Sequence, residues 1–121
     1  MPALQQLLAA GAVVDTWLAL LTGPWRREMP LRLRHSRFLV VLYAASGLAD
    51  ANGRIPDAPD GSPPLTARLA RSCGTRPETV ARILAAAAKA GALTERAPGR
   101  YALTTTAVPD WTAALAHLDQ G

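Results

Sequence analysis

Two stretches of the chain combine side chains suited to recognising a polyanion. The first is Thr75-Arg76-Pro77-Glu78-Thr79-Val80-Ala81-Arg82-Ile83-Leu84, continuing to Lys89. Wound as a helix at about 100° per residue, it puts Val80, Ile83, Leu84 and Ala87 on one side. Glu78, Ala81, Arg82, Ala85 and Lys89 fall on the other. An arginine on such a face can bond guanine O6 and N7 together, and a carboxylate can accept from a cytosine amino group. Thr79, Arg76 and Lys89 suit backbone phosphates. The second stretch is Arg96-Ala97-Pro98-Gly99-Arg100, two arginines flanking a tight turn. A narrow minor groove concentrates negative potential and attracts such guanidinium groups. The bland alternatives are a solvated Glu78–Arg82 pair, worth about 0.2–0.5 kcal/mol, and a solvated hairpin end.

Composition points the same way. Of 121 residues, thirteen are Lys or Arg against nine Asp or Glu, for a net charge of +4. The charge is uneven: residues 26–37 hold five arginines and one acid, and residues 65–100 hold seven basic residues and two acids. Such blocks are either the footprint of a polyanion or a solvated basic face. Arg68 and Arg71, with Arg32, Arg34 and Arg37, are further candidate phosphate contacts.

Other chemistries find little support. Cys73 is the single cysteine, so an internal disulfide is excluded, and it reads as a core filler. His35 and His117 lack metal-ligand spacing, and Asp50, Asn52, Asp57 and Asp60 do not follow the calcium-loop pattern. Without a nucleophile–base arrangement or a Gly-rich phosphate loop, the chain is expected to be no enzyme and to need no cofactor or metal. Tyr43, Trp25 and Trp111 read as packing residues. The apolar run Leu4–Leu21 lacks a basic leader and is broken by Gln5, Gln6 and Asp15. A signal peptide and a membrane span are therefore not expected, and a cytoplasmic, nucleoid-associated location is.

The positioning elements follow from periodicity and punctuation. Residues 3–22 read as a helix, with Leu4, Leu7, Gly11, Val14, Leu18 and Leu21 in heptad spacing, closed by Thr22-Gly23-Pro24 with the glycine as C-cap. Residues 25–30 read as a linker. A second helix is expected over 33–49, its apolar face carrying Phe38, Val41, Leu42 and Ala45. Asp50-Ala51-Asn52-Gly53 is a turn, Arg54-Ile55 a short strand, and 56–64 a loop. The third helix covers 65–72. The fourth covers 75–90, opened by a capping box from Thr75 to Glu78 and closed by Gly91. Strands at 93–96 and 100–104 flank Ala97-Pro98-Gly99, and a last helix at 110–119 presents Trp111, Ala114, Leu115 and Leu118.

Within 66–84 the spacing fits two short helices crossing steeply at a turn. Ala70 is small at the crossing, Gly74 supplies the turn, and Leu69, Cys73, Val80 and Ile83 fill the shared core. This segment resembles the winged helix-turn-helix domains of bacterial regulators, especially the DNA-binding half of the Crp/Fnr family. Gly74-Thr75-Arg76-Pro77-Glu78-Thr79-Val80-Ala81-Arg82-Ile83-Leu84 is similar to that family's G-x-S-R-E-T-V-x-R-x-L recognition helix. Lys89-Ala90-Gly91-Ala92-Leu93 resembles its entry to the wing, and MarR-like and GntR-like regulators have similar arrangements. The likeness spans residues 34–105 and implies base-contacting roles for Glu78 and Arg82. Two departures stand out. The 121 residues leave no room for a cyclic-nucleotide-binding domain. Pro77 stands where the pattern has a guanine-reading arginine, so that family's site sequence does not transfer.

The expected fold is therefore mainly α with a small β-hairpin wing: a winged helix-turn-helix over 31–105 with extra terminal helices. Residues 1–24 would form a dimerisation helix and 108–121 a helix for packing or dimerisation, with Leu4, Leu7, Val14, Leu18, Leu21, Trp111 and Leu115 as dimer contacts. The expected DNA-binding set is Arg68, Arg71, Thr75, Arg76, Glu78, Thr79, Arg82, Lys89, Arg96 and Arg100. The expected function is double-stranded DNA binding by a homodimeric transcriptional regulator addressing half-sites about one helical turn apart. The alternatives are a plasmid- or chromosome-maintenance or nucleoid protein, suited by the alanine-rich reading face, and a winged-helix adaptor for an unidentified protein partner.

Overall fold

Apolar side chains from both ends of the chain meet in one core. The computed structural model describes the backbone of residues 2–56, 63–106 and 108–120, and side chains from residue 12 onward. The side chains of Leu4 and Leu7, and the loop residues Asp57 and Asp60, lie outside the described residues. The element order is α1 (Pro2–Thr22), α2 (Pro24–Glu28), α3 (Leu31–Arg34), α4 (Arg37–Ser46), β1 (Arg54–Ile55), α5 (Leu65–Cys73), α6 (Pro77–Ala90), β2 (Leu93–Ala97), β3 (Arg100–Leu103) and α7 (Trp111–Asp119). The strands form one antiparallel sheet in the order β1-β3-β2.

Four aromatic rings tie the termini to the middle. Trp17 packs edge-on against Trp25, Trp25 against Trp111, and Phe38 against Trp111, with centroids 6.1, 6.1 and 6.0 Å apart. The Trp17 ring N–H donates to the Ala92 carbonyl at 2.9 Å, which pins α1 to the α6–β2 junction. Buried indoles gain from hydrophobic area and from edge-to-face geometry, and they usually find such a polar partner; the Trp111 ring nitrogen is buried without one among the described residues. Leu21, at 0% exposure, and Trp111, at 5%, sit inside this cluster. The expectation that they are dimer contacts is corrected: both are used within the chain. Leu18, Val14 and Leu115 are partly buried against the same cluster. The described parts of 1–24 and 108–121 thus share the core of 31–105.

Local chemistry explains three further departures. Residues 25–30 are largely helix, because Pro24 is preorganised for the first position of α2 and Trp25 is drawn into the core. The helix expected at 33–49 is two helices, since the Ser36 side chain accepts from the Phe38 N–H at 3.2 Å and starts α4 anew. The Thr75–Glu78 capping box does not form. Pro77 forces its predecessor into extended backbone, so Arg76 (φ −97°, ψ 150°) takes the N-cap position, without a side-chain cap. Gly23 also ends α1 without entering the left-handed region, at φ −115°.

The joints around α5 and α6 do follow their local signals. Gly74 adopts φ 64°, and the Thr75 N–H reaches back to the Ala70 carbonyl at 3.0 Å. Gly91 repeats the arrangement at φ 92°, with Ala92 N–H donating to Ala87. Both are left-handed helix ends with the six-to-one hydrogen bond of a Schellman motif. Leu69, Ala70 and Cys73 of α5 and Val80, Ile83 and Leu84 of α6 are buried together. At the other end of the sheet, Asp50 folds the turn that launches β1, its carboxylate accepting from the Asn52 and Arg54 amides at 2.9 and 3.0 Å.

Candidate nucleic-acid interface

The outward face of α6 carries Glu78, Ala81, Arg82 and Lys89, all exposed, with Ala85 half-buried beside them. Val80, Ile83, Leu84, Ala86, Ala87 and Ala90 hold the opposite side in the core. Glu78 lies in the first turn and Lys89 in the last, where each also complements the helix dipole. Helix α7 runs antiparallel along α6: the Asp110 amide donates to Ala90 near its start, and the Arg82 guanidinium donates to the Leu118 carbonyl near its end. That carbonyl belongs to the last turn of α7, where no intrahelical donor is available. Arg82 is therefore exposed but engaged.

Arg32 is engaged as well. It donates to both Asp119 oxygens at 3.2 and 2.6 Å, clamping α3 to the end of α7. The hydrogen bond from Arg32 draws the Asp119 carboxyl below its ordinary pKa. Both side chains are well exposed, so salt screens the pair.

The remaining expected contacts divide. Arg71, Arg76, Arg96 and Arg100 are exposed, whereas Thr75 and Thr79 are half-buried. Arg68 is half-buried, with its Nε and Nη2 atoms shielded and without hydrogen-bond partners among the described residues, so its guanidinium is partly withdrawn from any external ligand. Thr79 lies with Ser36, Arg37, Arg82, Ile83 and Leu118 around a groove of about 290 Å³ between α4, α6 and the end of α7. Cys73 is buried, and burial pushes its thiol pKa up despite the nearby Arg37 charge. Such a thiol stays protonated and inert.

The hairpin sits beside α6. Ala81 from the exposed helix face and Gly99 from the hairpin tip line one cavity of about 230 Å³, together with Pro64, Leu65, Thr66 and Tyr101. Gly99 turns the chain at φ 77°. The two regions singled out in the sequence are neighbours in space.

One residue absent from the expected set joins them. Arg54 of β1 lines a cleft of about 530 Å³ with Arg96 and Arg100, alongside Asp50, Ile55, Pro56, Ala97 and Tyr101. Nothing local marks Arg54 in the sequence. It reaches the hairpin arginines only because β1 pairs with β3, a contact across nearly fifty residues.

Comparison with protein-family models, with curated proteins and with solved structures gives no match. Among the described residues, no helix is long and apolar enough to cross a membrane.

Proposed function

We propose that the protein binds double-stranded DNA as a winged helix-turn-helix and acts as a transcriptional regulator. In this reading α5 and α6 are the helix pair, α6 enters the major groove, and the β2–β3 hairpin is the wing beside the minor groove. The observation that carries it is the groove shared by Ala81 and Gly99, which makes the exposed α6 face and the Arg-flanked tip one continuous surface. The element order, a helix pair running straight into a hairpin, agrees with the resemblance noted in the sequence. A homodimer belongs to the proposal, its contacts drawn from Val14, Leu18 and Leu115. Leu18, partly exposed, is the residue to charge when testing it by sedimentation, because charging the buried Leu21 would disrupt the core.

A second reading within the same class has its own support. Ala81 and Ala85 offer no hydrogen-bond donors, and Arg82 is held by Leu118. Sparse direct readout suits a maintenance or nucleoid protein with modest sequence preference.

The test titrates the chain against its own upstream DNA and against random-sequence duplex at two salt concentrations. A regulator prefers the upstream DNA by several orders of magnitude and loses that preference in Arg82→Ala. Equal binding to both supports the maintenance reading. No binding to either at low salt overturns both and favours a protein adaptor.

A further inference from the structure

Away from the hairpin, three helices enclose the groove of about 290 Å³. Its walls are the start of α4 with Ser36 and Arg37, one strip of α6 with Thr79, Arg82 and Ile83, and Leu118 in the last turn of α7. Thr79, Arg82 and Ile83 are three and four residues apart, the spacing that puts side chains on one helix face. Hydrogen bonds hold the other two walls. The Ser36 hydroxyl donates to the Leu33 carbonyl at 3.0 Å and accepts from the Phe38 amide at 3.2 Å, which fixes the start of α4 and with it Arg37. Arg32 grips both carboxylate oxygens of Asp119, which holds the last turn of α7 and with it Leu118.

The lining combines an apolar floor with a basic rim. Ile83 belongs to the core and Leu118 packs against it, so the floor is aliphatic. Arginine stems extend such a floor while their charged heads stay in water. The described lining includes no aromatic ring, so nothing in it favours a stacked one. Its two ionisable side chains, Arg37 and Arg82, are both arginines and both exposed. The Arg82 Nη2 atom donates to the Leu118 carbonyl, which spends one of the five guanidinium donors on a neutral acceptor. A carboxylate is the stronger acceptor, by roughly twofold, and can take two parallel bonds from one guanidinium. The volume lies at the lower end of the roughly 300–1,000 Å³ of small-molecule sites, which suits a small ligand rather than a peptide.

We infer that this groove binds a medium-chain aliphatic carboxylate. The carboxylate lies between Arg37 and Arg82, and the alkyl chain covers Ile83 and Leu118. Arg82 is also the base-contacting arginine of the proposed function, so an occupied groove would engage the same side chain that α6 offers to DNA. The site itself stands without that reading, since every residue and contact that builds it belongs to the free chain.

The test titrates octanoate against the chain by heteronuclear NMR in the absence of DNA, with octylammonium as a control of equal tail and opposite charge. Octanoate should give saturable shifts at Thr79, Arg82 and Ile83, and octylammonium should not. Arg37→Gln and Arg82→Gln should each weaken octanoate by about 10-fold or more, the loss of a hydrogen bond between charged partners. Arg37→Lys should recover part of that loss, because the charge returns without the planar fork. Thermal melts confirm that the variants fold. Should Arg82→Gln loosen α7, the two Arg37 variants carry the comparison. The site is overturned by an absence of saturable shifts in the wild type, by equal affinity for octylammonium, or by unchanged affinity in folded Arg37→Gln. Because no DNA is present, each of these outcomes leaves the DNA reading untouched, and the duplex titration can fail without affecting this one.

Discussion

The outward face of α6 and the arginine cleft at the sheet are both basic, but they hold their charges differently. On α6, Glu78 offsets part of the charge, two alanines separate the polar groups, and Arg82 is bonded to the end of α7. At the sheet, Arg54, Arg96 and Arg100 from three strands line one cleft, and among the described residues no hydrogen bond or ion pair holds the side chain of Arg54 or Arg96. The contrast separates two tasks. A phosphate contact needs charge and proximity, which a twisted sheet edge supplies without exact aim. Base readout needs a fork held at a defined angle, which a tether to a neighbouring helix can provide or withhold. Under the proposed function, the sheet would supply affinity and α6 discrimination.

Variants can break or sharpen this contrast. The largest effect is expected at Trp17, whose ring and hydrogen bond anchor α1 to the junction between α6 and the hairpin. Trp17→Ala should cost about 3–5 kcal/mol by denaturant unfolding. It should disable both surfaces together, and a selective loss of one would mean that they are positioned independently.

Gly53→Ala should be smaller and fall on the sheet. Gly53 has φ 79°, and a Cβ there would come within 2.6 Å of Val13 Cγ1. The backbone conformation alone costs about 1–2 kcal/mol for a residue with a side chain. A melt should register that loss. The salt dependence of DNA affinity should fall, while the ratio of affinities for preferred and random DNA stays near the wild-type value.

Cutting the chain after His117 addresses α6 instead. It removes the Leu118 carbonyl and Asp119, freeing both Arg82 and Arg32. If the tether withholds Arg82, affinity for the preferred duplex rises about 2- to 10-fold, the worth of one net hydrogen bond. Reduced discrimination would instead show that the tether aims the guanidinium. Asp119→Asn serves as the control that changes charge without removing the carbonyl.

The smallest effect concerns acidity. Asp119 is depressed in the folded state by Arg32, so the pair stabilises the fold above the unfolded carboxyl's pKa, near 3.9. That stabilisation is lost as pH falls through the folded value. Melts recorded between pH 6 and acid should therefore lose slightly less in Asp119→Asn than in the wild type, and added salt should erase the difference. Because Arg32 and Asp119 are exposed, a large difference would indicate a role beyond the pair itself.

Much of the local structure around α5, α6 and the hairpin is legible in the sequence. Gly74, Gly91 and Pro98-Gly99 act through local backbone preferences, so the joints around α5, α6 and the hairpin could be placed from residue type alone. The apolar spacing of Val80, Ile83 and Leu84 likewise separated the buried side of α6 from the exposed one. At Thr75 two local signals compete, and the steric demand of Pro77 outweighs the hydroxyl cap that the spacing to Glu78 predicts. The heptad pattern through Val14, Leu18 and Leu21 says that α1 buries a stripe. It does not say whether the partner is another chain or the aromatic cluster of this one.

Residue type and spacing were enough to place helix ends, turns and the inner and outer faces of α6, because those depend on interactions a few residues long. The engagement of Arg82 by Leu118, the pairing of Arg32 with Asp119, the withdrawal of Leu21 and Trp111 into the core, and the arrival of Arg54 beside the hairpin all required the folded chain. Each joins residues tens of positions apart. A long flexible side chain takes whatever acceptor packing delivers, and no local pattern records which one that will be.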